Sequence, residues 1–269
     1  MYHKHWRLLD TPFGTNIDPQ RFLASPPHEE ALARLQFLAV HRRGVGVVLG
    51  ASGSGKSMLL AVFAEAMRRA GQAVAAVNLT GLGSDEFLRL VNASLGSQPL
   101  RTDHRAQLWH SLDDRIAECR YQELEAVVLV DDADAAQGDV ATTLQRLAKI
   151  DVGPDRRLSI VLAGRYDRIG NVGSDLLELA DLRIDLIPWD IVDTERFVHE
   201  SVSRAGADPA IFTGSAILRI HQRAGGLPRR VGQLAHSALL AGAGRGVERI
   251  EPDLVDSACD ELGTIELVA

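Results

Sequence analysis

The chain has 269 residues, 46% hydrophobic and 24% charged, an ordinary globular composition that suits one large domain or two of moderate size. A formal charge of −7 removes the simplest electrostatic case for nucleic-acid binding, a basic domain or stripe, and leaves room only for a local patch. Cys119 and Cys259 lie far apart without ligand spacing, so neither a disulfide scaffold nor a zinc site is indicated. No apolar run reaches the roughly eighteen residues of a membrane span, and no apolar stretch follows Met1 to Asp10 to make a secretory signal, so a cytoplasmic location is expected.

Leu8 to Pro27 carries Pro12, Gly14, Pro19, Pro26 and Pro27 and reads as a largely irregular lead-in. His28 to Val40 follows as a helix, with Ala31, Leu32, Leu35, Leu38 and Ala39 at helical spacing and Ser25 as a start signal. Strands and helices then alternate. Strands are expected at Val45 to Leu49, Ala73 to Leu79, Ala126 to Val130, Leu158 to Ala163 and Leu182 to Ile187. Helices are expected at Gly55 to Arg69, Ser84 to Leu95 with Ser84 as N-cap, Asp103 to Leu124 and Val140 to Ile150.

Continuous apolar strands separated by helices predict a parallel sheet covered on both faces, with ligands beyond the carboxyl ends of its strands. After Pro188 the pattern becomes helix upon helix: Asp193 to Ala205, Thr213 to Ala224, Arg229 to Ala243 and Pro252 to Leu262. The fold class is therefore α/β, a parallel sheet covered by helices and followed by a small all-helical lid. The expected domains are a lead-in and helix over 1–40, a nucleotide-binding α/β domain over 41–188 and a helical lid over 189–269, with the boundary near Trp189.

The run Gly50-Ala51-Ser52-Gly53-Ser54-Gly55-Lys56-Ser57 fills the GxxxxGK[ST] pattern directly after the first strand, and Met58 opens the amphipathic run to Arg69. Strand, glycine-rich turn and helix in that order aim backbone N–H groups and a helix N-terminus at one point, which suits a polyphosphate. Residues 50–58 are the expected nucleotide-binding residues. Lys56 would reach the β- and γ-phosphates, and the Ser57 hydroxyl would ligate Mg²⁺.

A phosphate loop needs an acid at the end of a neighbouring apolar strand, and Val127-Val128-Leu129-Val130-Asp131-Asp132 supplies two. Asp131 is expected to hold Mg²⁺ beside Ser57. Asp132 is expected to orient or deprotonate the attacking water, one methylene shorter than a glutamate, which points to a slow ATPase. Asp134 reads as a turn or capping residue. Arg165, after the strand Leu158 to Ala163, is the candidate polar sensor of the γ-phosphate, with a surface arginine as the alternative. In Gly225-Gly226-Leu227-Pro228-Arg229-Arg230 the glycines end one helix and Pro228 opens the next, placing Arg229 where it can turn toward the γ-phosphate. Arg219, Arg223, Arg229, Arg230, Arg245 and Arg249 concentrate positive charge near the C-terminus and are read as solvated helix faces plus one nucleotide contact.

Together these motifs resemble the AAA+ ATPases, and more narrowly the ExeA-type ATPases of the general secretion pathway. The resemblance runs almost end to end. It begins with Met1-Tyr2, Pro12-Phe13, Asp18-Pro19, Arg21-Phe22-Leu23, Ser25-Pro26 and His28 to Leu35, and continues through GASGSGKS, VVLVDDAD, LSIVLAG and GGLPRRV. It implies ATP and Mg²⁺ as ligands and a lid carrying a sensor arginine at Arg229. It also implies nucleotide-dependent assembly into homo-oligomers or onto a protein partner, and an adenine enclosure around Phe22 to Ser25. The chain departs from that pattern at Asp132, where relatives carry Glu, and at Arg165, where they carry Gln. Arg183 is the only candidate for an intersubunit finger, and its spacing to Pro188 aligns poorly. The functional expectation is an ATP hydrolase that drives or regulates a secretion, pilus or exopolysaccharide export assembly. The alternative is a DNA-associated ATPase of the transposition-helper type. No NKxD-like or LSGGQ-type segment points to a GTPase or an ABC ATPase, and the GGLPRR segment fits a small-molecule kinase poorly.

Overall fold

A computed structural model describes residues 2–14, 16–98 and 104–266, with side chains as far as Glu261. In chain order its elements are α1 (Tyr2–Trp6), α2 (Pro26–Val40), β1 (Val45–Gly50), α3 (Lys56–Arg69), β2 (Ala73–Asn78), α4 (Ser84–Ser94), α5 (Arg105–Tyr121) and β3 (Ala126–Asp131). They continue with α6 (Asp139–Ala148), β4 (Leu158–Gly164), α7 (Ser174–Leu177), β5 (Ala180–Leu186), α8 (Ile191–Arg204), α9 (Gly214–Ala224), α10 (Pro228–Arg245) and α11 (Pro252–Glu266).

The chain divides into two compact units. One holds Asp18–Ser52 and Lys56–Leu186; the other holds the N-terminal residues to Ile17, Gly53–Gly55 and the chain from Ile187 onward. Residues 1–40, expected as one lead-in, are thus shared between the units. The expected start of the fourth helix at Asp103 lies outside the described residues.

In the sheet unit all four strand pairings are parallel, in the order β2-β3-β4-β1-β5. The apolar strands have no polar face because both faces are covered. Val47, Val128, Ile160 and Leu162 pack with Phe87, Leu88, Leu108 and Leu112 of α4 and α5. The alternate residues Val48, Val127, Leu129 and Val161 pack with Leu35 and Leu38 of α2 and with Leu59 and Phe63 of α3. Gly46 permits this on the second face, since a Cβ there would stand 2.5 Å from Leu38 Cδ1.

In the helical unit, Trp189, Val198, Ile217, Val231 and Leu239 form a separate core, joined by Trp6, Leu8 and Phe13 from the N-terminal segment. Trp6 Nε1 donates to the Leu239 carbonyl at 2.8 Å, and the Leu9 N–H donates to the Ala205 carbonyl at 2.8 Å. α1 and the anchor Trp6 precede the lead-in expected from Leu8, whose Leu8 and Phe13 are buried in the same core. Asp190 and Thr213 cap α8 and α9 through their side chains, and Gly225 ends α9 in the left-handed region at φ 61°. Among the described residues no helix is long and apolar enough to cross a membrane.

One expected cap is corrected. Gly83, not Ser84, precedes α4, and the Ser84 hydroxyl instead donates to Asp139 Oδ2 at 2.6 Å. Ser25, the expected start signal, stands at the N-cap of α2, and its hydroxyl meets His28 Nδ1 at 2.7 Å.

Candidate nucleotide site

All five strands run the same way, so Gly50, Asn78, Asp131, Gly164 and Leu186 end at one edge of the sheet. β1 lies inside the sheet between β4 and β5, and the loop that leaves it opens into α3 at Lys56. Gly53 and Gly55 have φ of 81° and 97°, the region in which a side chain is strained, so the loop's path needs glycine at both positions.

Lys56 is buried on the first turn of α3, where an unpaired ammonium would be costly. Its Nζ donates to the carbonyls of Gly50 and Ala51, each at 3.0 Å. The loop therefore wraps its own cation, which is held at the point where residues 50–57 turn. Ser57, next on the helix, faces the Asp131 carboxylate at the end of β3 closely enough to favour its charged form. Burial raises the Asp131 pKa above the ordinary carboxylate value, against the lowering effect of Ser57; Asp132 adds to the rise and Lys56 opposes it. A hydroxyl and a carboxylate brought together as hard oxygen donors suit Mg²⁺. Met58 lies half-buried on the same opening turn.

Asp132 has left-handed backbone, φ 49° and ψ 41°, uncommon for a residue with a side chain. Its N–H donates to Asp131 Oδ1 at 3.0 Å. Its Oδ2 accepts from Asn78 Nδ2 at 2.7 Å and from the Thr80 hydroxyl at 3.4 Å. Asn78 is the register partner of Asp131 across β2 and β3, so the last residue of one strand restrains the acid just past the end of the other. Sequence reasoning missed Asn78 and Thr80. The available signal was the polar residue closing the apolar run Ala73 to Val77.

Gly164 is level with Leu49 in the sheet, which puts Arg165 beside the start of the phosphate loop. The Arg165 guanidinium is occupied by Asp167, with Nη2 to Oδ2 at 2.7 Å and Nε to Oδ1 at 3.1 Å. Arg183 on β5 is likewise paired with Asp185, at 3.0 Å. Near the expected adenine enclosure, Leu23 and Ser25 are buried, and the Phe22 ring meets the His28 ring edge-on at 5.8 Å between centroids. Within the helical unit Arg229 is exposed on the first turn of α10, and its backbone N–H donates to the Gly53 carbonyl at 3.2 Å. Of the C-terminal arginines, Arg219 and Arg223 both pair with Asp256, and Arg245 donates to the Ser257 hydroxyl.

Residues 40–170 match the family model described as an AAA domain. The chain is 26% identical to General secretion pathway protein A of Aeromonas hydrophila over 273 residues, covering 98% of this chain and 49% of that protein. It therefore spans about half the length of the curated relative it matches. Among solved structures it is similar to Cdc6p from Pyrobaculum aerophilum, with a TM-score of 0.75 and 18% identity over 94% of this chain and 71% of that one. It is also similar to the Aeropyrum pernix ORC1 protein in complex with DNA (TM-score 0.68, 16% identity, 96% of this chain and 69% of that one). A third likeness is the Thermotoga maritima RuvB Holliday junction branch migration motor (TM-score 0.63, 14% identity, 94% and 74%). At these identities the solved structures establish a shared fold. Residues 40–170 thus resemble an AAA domain, the chain has the parallel sheet of the solved structures' shared fold, and along nearly its whole length it is similar to General secretion pathway protein A.

Proposed function

We propose that the protein is a cytoplasmic ATP hydrolase that drives or regulates assembly of a partner machine, such as a secretion, pilus or exopolysaccharide export system. The observation that carries the enzymatic part is the convergence of the Lys56 ammonium, the Ser57 hydroxyl and the Asp131 carboxylate at one end of the sheet. The likeness to General secretion pathway protein A supports the export context.

In this reading residues 50–57 cradle the ATP phosphates, and Lys56 exchanges its two carbonyl partners for the β- and γ-oxygens. Ser57 and Asp131 would hold Mg²⁺, which supplies charge neutralisation to the phosphates when bound. Asp132 orients the attacking water and accepts its proton, after its carboxylate has left Asn78. Arg165, by giving up Asp167, is the candidate sensor of the γ-phosphate, and Arg229 is the candidate sensor arginine of the lid. Nucleotide-dependent homo-oligomerisation or partner binding couples this cycle to assembly.

Lys56→Ala should abolish tight ATP binding and turnover while the fold survives; affinity retained in that variant would contradict the assignment of the loop. Proteins that co-purify with the chain in non-hydrolysable ATP but not in ADP would identify the partner. The alternative of a DNA-associated ATPase draws on the positive charge of the C-terminal arginines. Against it, Arg219 and Arg223 are already paired with an acid, and acids outnumber arginines from Ile187 to the end of the chain. DNA-stimulated turnover with a steep salt dependence would favour that alternative.

A further inference from the structure

Asp134 has no part in the reading above, yet it ties the turn just past the end of β3 to the end of β4. It lies in the single tight turn Ala133–Ala135, which is closed by the Ala135 N–H donating to the Asp132 carbonyl at 2.8 Å. Its Oδ1 accepts the backbone N–H of Arg165 at 3.2 Å. Its own backbone carbonyl accepts from Asn171 Nδ2 at 2.7 Å.

Gly164 shows how closely these parts fit. A Cβ at Gly164 would stand 2.9 Å from Asp134 Oδ1, 3.3 Å from Asp134 Cβ and 2.8 Å from Ile169 Cδ1. The β4 backbone can come this near only because residue 164 has no side chain. β3 and β4 are parallel neighbours as far as Val130 opposite Leu162, so the turn that follows β3 lies beside the end of β4. One residue thus brackets the turn that carries Asp132 to the strand end that carries Arg165.

We propose that Asp134 is a positioning residue of the ATP site: by accepting the Arg165 N–H it fixes the strand end bearing Arg165 relative to the turn bearing Asp132. This rests on the reading of the site as an ATPase. The step it serves is alignment of the water-orienting acid with the γ-phosphate, so its loss acts on turnover more than on nucleotide binding. An uncharged acceptor at the same place suffices for the Arg165 N–H.

The test compares Asp134→Ala, Asp134→Asn and Gly164→Ala in the full chain, reading kcat, KM for ATP, ADP affinity and the unfolding midpoint. Asp134→Ala should lower kcat about tenfold, the factor that one lost hydrogen bond of about 1.4 kcal/mol represents, with ADP affinity unchanged. Asp134→Asn keeps Oδ1 and should restore turnover. Gly164→Ala should reproduce the loss, because its methyl group displaces the carboxylate. Turnover retained in Asp134→Ala would overturn the proposal. So would an equal loss in Asp134→Asn, or a fall in kcat matched by a fall in ADP affinity. A wild-type chain that binds ATP no better than Lys56→Ala would instead refute the reading of the site, and this proposal with it.

Discussion

Asn78→Ala tests whether Asp132 is restrained before it works. The Asn78 amide holds Asp132 Oδ2 at 2.7 Å, while the Thr80 hydroxyl is more distant at 3.4 Å. A carboxylate that must turn toward water has first to give up this donor, and a hydrogen bond of this kind is worth about 0.5–1.5 kcal/mol net. Removing it should raise the fraction of Asp132 free to act, and with it the turnover at saturating ATP, by about two- to twelvefold. Asn78 Oδ1 also accepts the Thr80 N–H at 2.9 Å, so alanine loosens the following turn as well. Asn78→Asp separates the two effects: it keeps that acceptor and replaces the donor with a like charge, and it too should raise turnover. Steady-state phosphate release is the assay, with Asp132→Asn as the inactive reference in both backgrounds. Turnover equal to or below wild type in both Asn78 variants would refute the reasoning and make Asn78 a support for the working orientation of Asp132.

Three further outcomes follow from the packing and charges. Gly46→Ala should cost about 1–3 kcal/mol in urea unfolding, because its methyl group meets fully buried Leu38, whereas Gly44→Ala meets only the movable guanidinium of Arg156 and should cost far less. Burial, and secondarily His3, lowers the His236 pKa below the ordinary imidazole value, and Tyr2 packs edge-on to its ring at 5.6 Å. A depressed folded-state value gives stability that is present above the unfolded pKa near 6.5 and lost as pH falls through the folded value. Acidification should therefore lower the unfolding midpoint of the helical unit more in wild type than in His236→Phe, and equal slopes would exclude His236 as the cause. Asp167→Asn, which frees exposed Arg165, should tighten ATP binding without tightening ADP binding and leave the unfolding midpoint unchanged; no difference between the nucleotides would remove Arg165 from the γ-phosphate.

The parts of the fold that were legible in the sequence rest on short-range signals. Val45 to Leu49 and Ala126 to Val130 are apolar throughout because both faces of their strands are buried, and that pattern needs no knowledge of neighbours. The glycines at 53 and 55 announce their backbone in the same local way. α1 was hidden because five residues are too few for a periodicity, and because Trp6 finds its partner, the Leu239 carbonyl, more than two hundred residues away. Ser84 was misread for a related reason: a serine at a helix start matches the local capping pattern, but here Asp139 takes its hydroxyl and Gly83 stands at the N-cap.

Asn78 and Asp134 show where local reading ends. The only local mark on Asn78 is that it closes the apolar run Ala73 to Val77, and its meeting with Asp132 follows from β2 and β3 being parallel neighbours in a register that sets Asn78 beside Asp131. A one-residue slip would turn that side chain to the other face of the sheet. Asp134 likewise gains its role only because Gly164 lets β4 approach, a property of residue 164 that its own sequence neighbourhood does not explain. The expected chemistry at Lys56, Ser57 and Asp131 follows from motifs in which the elements are contiguous or the strand ends of one sheet. In the proposed reading, control of that chemistry falls to residues from other strand ends, Asn78 on β2 and Arg165 after β4, the two neighbours of β3. If that division holds, variants at Lys56 or Ser57 should change nucleotide affinity, while variants at Asn78 or Asp134 should change the rate at nearly constant affinity. A loss of affinity at all four positions would mean that the strand ends form one cooperative binding surface.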